Sequence, residues 1–391
     1  DSLRADHISY FNANSPASTP HIDMLAKNGM TFHTAMANGP HTVLSAPTLL
    51  TGEYQPAITA ETPTLAERLA DVGYETAGFC TNVQLFGPHL SPMELERGFK
   101  EFDTLLDTVR EKTEFQIERV AHAIGRQSKS LFGENSSIHH TVSNVMSYLP
   151  LPLAQPTPPA ATVNNRAIQW VDESVDKEDP YFLCLFHRAT HEPWLPPNNH
   201  DAETDTGILE RFLNHGLNRK YRYFKSDLTD QELETLKQLY VTSIEYWDAQ
   251  VGKLVEELRD RDRDPTIIIT SDHGELLGEH GEYGHPAAPW EELLNVPIVV
   301  SGPAIEQRDS GEVVQNIDVV STILDLADAS GGETFRGTSL IDNPERTVQD
   351  RDGVLSILGK DPIEFSYRTD KWKYVSRVDE EALYNMTTSE P

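Results

Sequence analysis

The segment TIIITSDHGELLGEHGEYGH sets Asp272 and His273 side by side where an apolar run ends, with Glu275, His280 and His285 behind them among glycines. A carboxylate and an imidazole fixed at a strand end, with a further histidine in a glycine-rich loop, suit a metal ion better than a solvated turn. A second cluster, HRATHEPW, follows the apolar run YFLCLF and carries His187, Arg188 and His191. Metal binding, oxyanion contact and proton transfer are all within reach of these side chains.

Such clusters need rigid elements to hold them. Residues 1–103 alternate helix and strand signals: PHIDMLAKNGM and TLAERLADVGY are amphipathic helices, and ETAGFCTN is a short apolar strand. From Ala161 the rhythm continues as helix ATVNNRAIQWVDESV, strand YFLCLF, helix LKQLYVTSIEYWDAQVGKLVEELRD and strand PTIIITSD. This order predicts an α/β fold with a mostly parallel central sheet covered by helices on both faces. Ligands in such sheets bind beyond the carboxyl ends of the strands, which are the positions of the two clusters. Residues 104–160 change character, ending in the proline-rich LPLPLAQPTPP, and read as an insertion or lid on a stiff linker.

Bulk properties narrow the function. The 391 residues carry a net charge of -30, from 62 acidic and 32 basic side chains. The excess acid is spread along the chain, and a field of that sign repels phosphate backbones, so nucleic acid is excluded as a partner. Dispersed acidity fits a protein from a high-salt cytoplasm, and an ordinary acidic protein equally well. The two cysteines, Cys80 and Cys184, sit in apolar runs and read as inert buried thiols. No apolar run is long enough to cross a bilayer and no charged-then-apolar leader opens the sequence, so a soluble, cytoplasmic protein is expected. Composition is silent on oligomeric state.

The motif SDHGELLGEHGEYGH followed by EELLNVPIVVSGP resembles the signature loop and next strand of sulfatases and their phosphohydrolase relatives in the alkaline-phosphatase superfamily. DSLRADHIS, TPHIDMLAKNGMTFHTAMA, LLTGEYQP, RGFKEFD, THEPWLPP, DVVSTILDLA, FRGTSL and RTDKWKYV agree in order. The resemblance implies a sulfatase-like catalytic domain over residues 1–340, with strands and a helix of residues 341–391 completing it. It also implies metal ligands at Asp1, Asp272 and His273, with a central strand before Asp1. His191 resembles the histidine on the sulfuryl or phosphoryl oxygens, and His285 a histidine near the leaving group. Asn82 stands where sulfatases often place a lysine, and with His187 and Arg188 it is expected to contact substrate, although His187, directly behind a buried strand, reads equally well as a hydrogen-bonded structural histidine. Ser2 occupies the place of a second aspartate.

The nucleophile departs from the sulfatase pattern, a Cys or Ser that becomes formylglycine in C/S-x-P-x-R. Counting back from Gly52 reaches Thr42, which cannot make formylglycine, while Ser45 in SAP matches S-x-P but lies three residues closer to the T-G pair. Leu49 replaces the arginine of the Ser45 register. Thr42 is the expected nucleophile and fourth metal ligand, with Ser45 as the alternative. One divalent ion is implied; a mixed carboxylate, imidazole and hydroxyl set favours manganese or zinc, with calcium or magnesium as alternatives. The expected activity is hydrolysis of a sulfate or phosphate ester on a small molecule, glycan or lipid. A head-group transferase or phosphodiesterase of the same superfamily and an inactive binding module are the competing readings. His139 and His140 read as solvated surface, and Asp248 as a helix cap or core partner.

Overall fold

The computed structural model describes residues 1–82, 91–105, 136, 141, 160–176, 178–196, 208–261, 263–329, 336–341, 348 and 351–387. Most of the expected insertion, including His139, His140 and the proline-rich run, lies outside these residues.

Helix α1 (Pro20–Lys27) opens on a proline, which has no N–H to leave unsatisfied. Asp248 caps it from outside, accepting from the backbone of His21 at 3.2 Å and Ile22 at 2.8 Å. Strand β1 (Met30–Met36) leads to α2 (Thr42–Thr51), which Gly52 ends in the left-handed conformation at φ 75°. A capping box of Thr64 and Glu67 starts α3 (Leu65–Asp71), followed by β2 (Glu75–Cys80) and β3 (Glu101–Asp103). Next come α4 (Ala160–Ser174), β4 (Tyr181–Phe186), α5 (Ile208–Tyr223), α6 (Asp230–Asp260) and β5 (Ile267–Thr270). Helix α6 starts before the apolar periodicity that begins at Leu236, because Thr229 and Glu232 form a capping box.

A hairpin of β6 (Leu276–Leu277) and β7 (Tyr283–Gly284) precedes α7 (Glu291–Leu294), β8 (Ile298–Ser301), β9 (Arg308–Gln315) and α8 (Asn316–Leu326). The chain closes with β10 (Val354–Lys360), β11 (Ile363–Arg368), β12 (Trp372–Ser376) and β13 (Glu381–Asn385), an antiparallel meander. No α-helix occurs among the described residues of 341–391.

The four-stranded sheet that carries β5 is mixed rather than mostly parallel. In the four-stranded sheet β5-β8-β1-β9, β8 runs antiparallel to both neighbours and only β1 and β9 are parallel. Between β5 and β8 the chain makes a hairpin and one short helix, and it returns antiparallel to β5. The sheet β3-β2-β4 is parallel throughout.

Alternation along β8 covers both faces of the mixed sheet. Val299 packs with Ile22, Leu25, Leu236 and Ile244 of α1 and α6, whereas Ile298 and Val300 pack with Phe32, Val314 and Val319 on the α8 side. Helix α4 covers Ala77 and Phe79 of the parallel sheet through Val163, Ala167 and Val171. Each such fully buried aliphatic chain contributes about 1.5–3 kcal/mol, enough to hold the strand ends firmly.

Candidate active site

Four carboxyl ends of strands deliver the polar side chains. β5 ends at Thr270 just before Asp272 and His273, β4 leads into His187–His191, β2 into Asn82, and β1 through a short loop into Thr42. Gly274 has no room for a side chain, since a Cβ there would meet the Glu292 carbonyl. That close approach lets Gly274 N donate to Leu293 O at 2.8 Å and tucks the loop beneath α7.

His273 sits at the centre. Its Nδ1 lies 2.8 Å from Gly274 O and donates to it, which leaves a lone pair on Nε2. That nitrogen faces Thr42 Oγ1 at 3.2 Å, Asp1 Oδ1 at 3.4 Å and Asp272 Oδ2 at 3.5 Å. Burial pushes the His273 ring down to about 3, so it is neutral in ordinary buffers. Both oxygens of Asp272 are buried without a hydrogen-bond partner. Two carboxylates and a lone pair converging in a dry pocket repel one another, and a divalent cation resolves that repulsion. Asp1, Asp272 and His273 offer ligand atoms within 4.8 Å of one another, so the residues fit such an ion.

Thr42 is the first residue of α2, and its buried hydroxyl points at this cluster. Ser45 is turned away: its Oγ donates to His41 O at 3.2 Å, one helical turn back. Leu49 packs in the apolar core beside α8.

Around the cluster lies a ring of second contacts. Asn82, read as a substrate contact, has its Nδ2 donating to Asp1 Oδ2 at 2.6 Å. Ser2 donates to Asp1 Oδ1 at 3.3 Å. Arg188 reaches His191 Nδ1 at 3.0 Å and Asp1 Oδ2 at 3.9 Å. The His285 ring centroid lies 4.8 Å from that of His273 and 5.1 Å from that of His191. Burial pushes the His285 ring down, but the Glu275 carboxylate 3.3 Å from its Nδ1 outweighs this and holds it above its usual value.

His191, Glu192 and His285 also lie close enough to share an ion. Positive charge is already supplied there by Arg222, whose Nε lies 3.5 Å from Glu192.

His187 is committed to structure. Its Nδ1 accepts from Trp247 at 3.2 Å, its Nε2 lies 3.1 Å from Asn164 Oδ1, and burial pushes it down to about 3. His280 stacks on Trp290 at 3.9 Å and pairs with Glu292, outside the cluster. Burial raises the Cys80 thiol to about 12 and that of Cys184 to about 11, which leaves both unreactive. Glu192 and Tyr221 are absent from the sequence reading; the only signal for them is adjacency to His191 and placement on an amphipathic helix. Among the described residues no helix is long and apolar enough to cross a membrane.

Comparison with known proteins matches this arrangement to one family. A sulfatase family model matches residues 1–329. An arylsulfatase of Clostridium perfringens (strain 13 / Type A) is 24% identical over 427 residues, covering 99% of this chain and 86% of that protein. An uncharacterised sulfatase of Escherichia coli (strain K12) is 22% identical over 90% of this chain and 70% of its own length. The phosphonate monoester hydrolase of Agrobacterium radiobacter superposes with a TM-score of 0.70 at 20% identity, over 99% of this chain and 88% of that one. A structure solved with its substrate D-glucosamine-2-N,6-O-disulfate gives a TM-score of 0.68 at 18% identity, over 99% and 90%. At those identities the two superpositions bear on the fold alone. The family match runs from Asp1 past Asp272 and His273 to beyond α8, and the chain belongs to the sulfatase family.

Proposed function

We propose that the protein hydrolyses a phosphate or sulfate ester, phosphate in preference, with Thr42 as nucleophile beside one divalent cation held by Asp1, Thr42, Asp272 and His273. The supporting observation is the Thr42 hydroxyl 3.2 Å from His273 Nε2, inside a buried cluster whose Asp272 oxygens accept no hydrogen bond. Manganese or zinc suits the imidazole in the set better than calcium or magnesium. When bound, such a cation would supply the charge that makes the Thr42 hydroxyl acidic at neutral pH and that offsets negative charge on the ester.

The protein's own residues account for the rest. With its proton already lost to solvent, Thr42 Oγ would bond to phosphorus or sulfur as an alkoxide while the bridging oxygen departs in line. His285, held at Nδ1 by Glu275, gives that oxygen a proton from Nε2. His191 and Arg188 contact the non-bridging oxygens, and Asn82 steadies Asp1. Water then breaks the threonine ester and returns a proton to His285.

The intermediate decides the preference. A formylglycine diol expels sulfate by elimination, but a threonine sulfate must be broken by water at a poorly electrophilic sulfur, and a threonine phosphate turns over more easily. With manganese at high salt, an aryl phosphate mono- or diester is expected to be cleaved at least about tenfold faster than the matching aryl sulfate, or about 1.4 kcal/mol in barrier. Faster sulfate release, with Thr42 shown unmodified by mass spectrometry, overturns the preference.

The cation itself is testable without turnover. Manganese at about 1,000 times its dissociation constant is expected to stabilise EDTA-treated protein by about 4 kcal/mol in denaturant unfolding. An unchanged midpoint means that the buried carboxylates do not bind the ion.

A further inference from the structure

We infer that Glu275 is the positioning residue of the leaving-group histidine, fixing the His285 ring through Nδ1 so that Nε2 alone serves the substrate; this rests on the reading of His285 as proton donor. Three observations converge on it. The β6–β7 hairpin pairs Leu276 with Gly284 and Leu277 with Tyr283, so the next positions outward are 275 and 285, which face each other across the hairpin mouth. Glu275 is fully buried, and its Oε2 lies 3.3 Å from His285 Nδ1.

The third observation is a clamp on the carboxylate from a different part of the chain. Tyr221 of α5 lies with its hydroxyl 2.7 Å from Glu275 Oε1 and 2.6 Å from Leu276 O, and it accepts from Gly284 N at 2.8 Å. Its ring is backed by Trp194 at 5.1 Å. The one hydroxyl proton lies between Glu275 Oε1 and Leu276 O while the oxygen accepts from Gly284 N, so the phenol ties both strands of the hairpin together beside Glu275 and leaves Oε2 for the imidazole. With Nδ1–H given to that oxygen, the tautomer and the ring plane are set together. No hydrogen bond to Nε2 occurs among the described residues, so that edge is free for a departing oxygen.

A purely structural Glu275 and a positioning Glu275 differ in how they respond to the leaving group. For Glu275→Ala, kcat on phenyl phosphate is expected to fall about 100-fold with KM within about threefold, because phenolate departs poorly without a proton. On 4-nitrophenyl phosphate the loss is expected to be below about fivefold, since that leaving group needs little help. Glu275→Gln keeps an oxygen for Nδ1–H and an amide for Tyr221, and is expected to recover to within about tenfold of wild type. Equal losses on both esters, a loss confined to KM, or a Gln variant no better than Ala overturns the inference.

Should Glu275→Ala fail to fold, Tyr221→Phe takes its place, with the same bias toward phenyl phosphate expected at about fivefold; an even loss counts against Glu275. His285 can also be read without substrate. Its Nδ1–H is expected to give a slowly exchanging, downfield ¹H–¹⁵N signal in wild type that survives in Glu275→Gln and vanishes in Glu275→Ala. A wild type inactive on both esters sinks the proposed function, while this signal still decides the pairing: its persistence in Glu275→Ala removes the positioning role.

Discussion

Thr42→Ala is expected to lower turnover of an aryl phosphate by about 10⁴-fold while the circular dichroism spectrum and thermal midpoint stay near wild type. Thr42 opens α2, a position that alanine occupies readily, and its hydroxyl makes its contact with His273 rather than with the helix backbone. Removing it takes away the group that would form the covalent bond and little else. Ser45→Ala is the matched control, since that hydroxyl only returns to His41 O inside the helix. Its kcat is expected to stay within about threefold of wild type. If Ser45→Ala is the inactive variant and Thr42→Ala turns over, the nucleophile is Ser45 and the Thr42 reading is wrong.

The largest expected effect on stability is at Asp318. This buried carboxylate in the first turn of α8 accepts from Arg351 through both guanidinium arms, at 2.8 and 2.6 Å. It also accepts from Thr338 N at 2.8 Å and Gln315 N at 2.9 Å. Asp318→Ala leaves a guanidinium and two backbone donors without their acceptor in a dry environment, which costs about 3–5 kcal/mol. Urea unfolding followed by tryptophan fluorescence reads this directly. A loss under about 1 kcal/mol would mean that Arg351 and the two amides find other partners.

Much of the frame around the site is legible in the sequence, because apolar runs and capping residues act locally. YFLCLF, ETAGFC and IIIT are strands as their composition requires, and Asp248 caps a helix as its place on α6 suggests. Strand direction is a different matter. A buried run such as IVVS reads the same whether its neighbours run with it or against it, so the antiparallel setting of β8 is invisible until the sheet is seen. Register hides in the same way. Nothing in ELLGEHGEYGH says that residues 275 and 285 oppose each other, because a two-residue pairing is fixed by the turn and by Tyr221 from α5. Asn82 and His187 show a third limit: motif position places them near the site, but their partners, Asp1, Asn164 and Trp247, come from folding and decide what each can do.

The separation of the converging residues bears on how the molecule is made. Thr42 and His273 are 231 positions apart, and Thr190, whose hydroxyl donates to Asp1 O, is 189 from its partner. Closing a loop of that length costs about 5 kcal/mol of chain entropy before any contact rewards it. The pocket cannot recruit its own parts, so the strands must first be ordered by their apolar faces, and the polar ends meet because the sheets have already formed. On a ribosome, β5 emerges before β8, the strand it pairs with, so the Asp272–His273 end of the pocket waits for residues that lie beyond it in the sequence. A clipped form lacking β8 and β9 would therefore carry Asp272 and His273 behind a strand with no sheet partner to hold it.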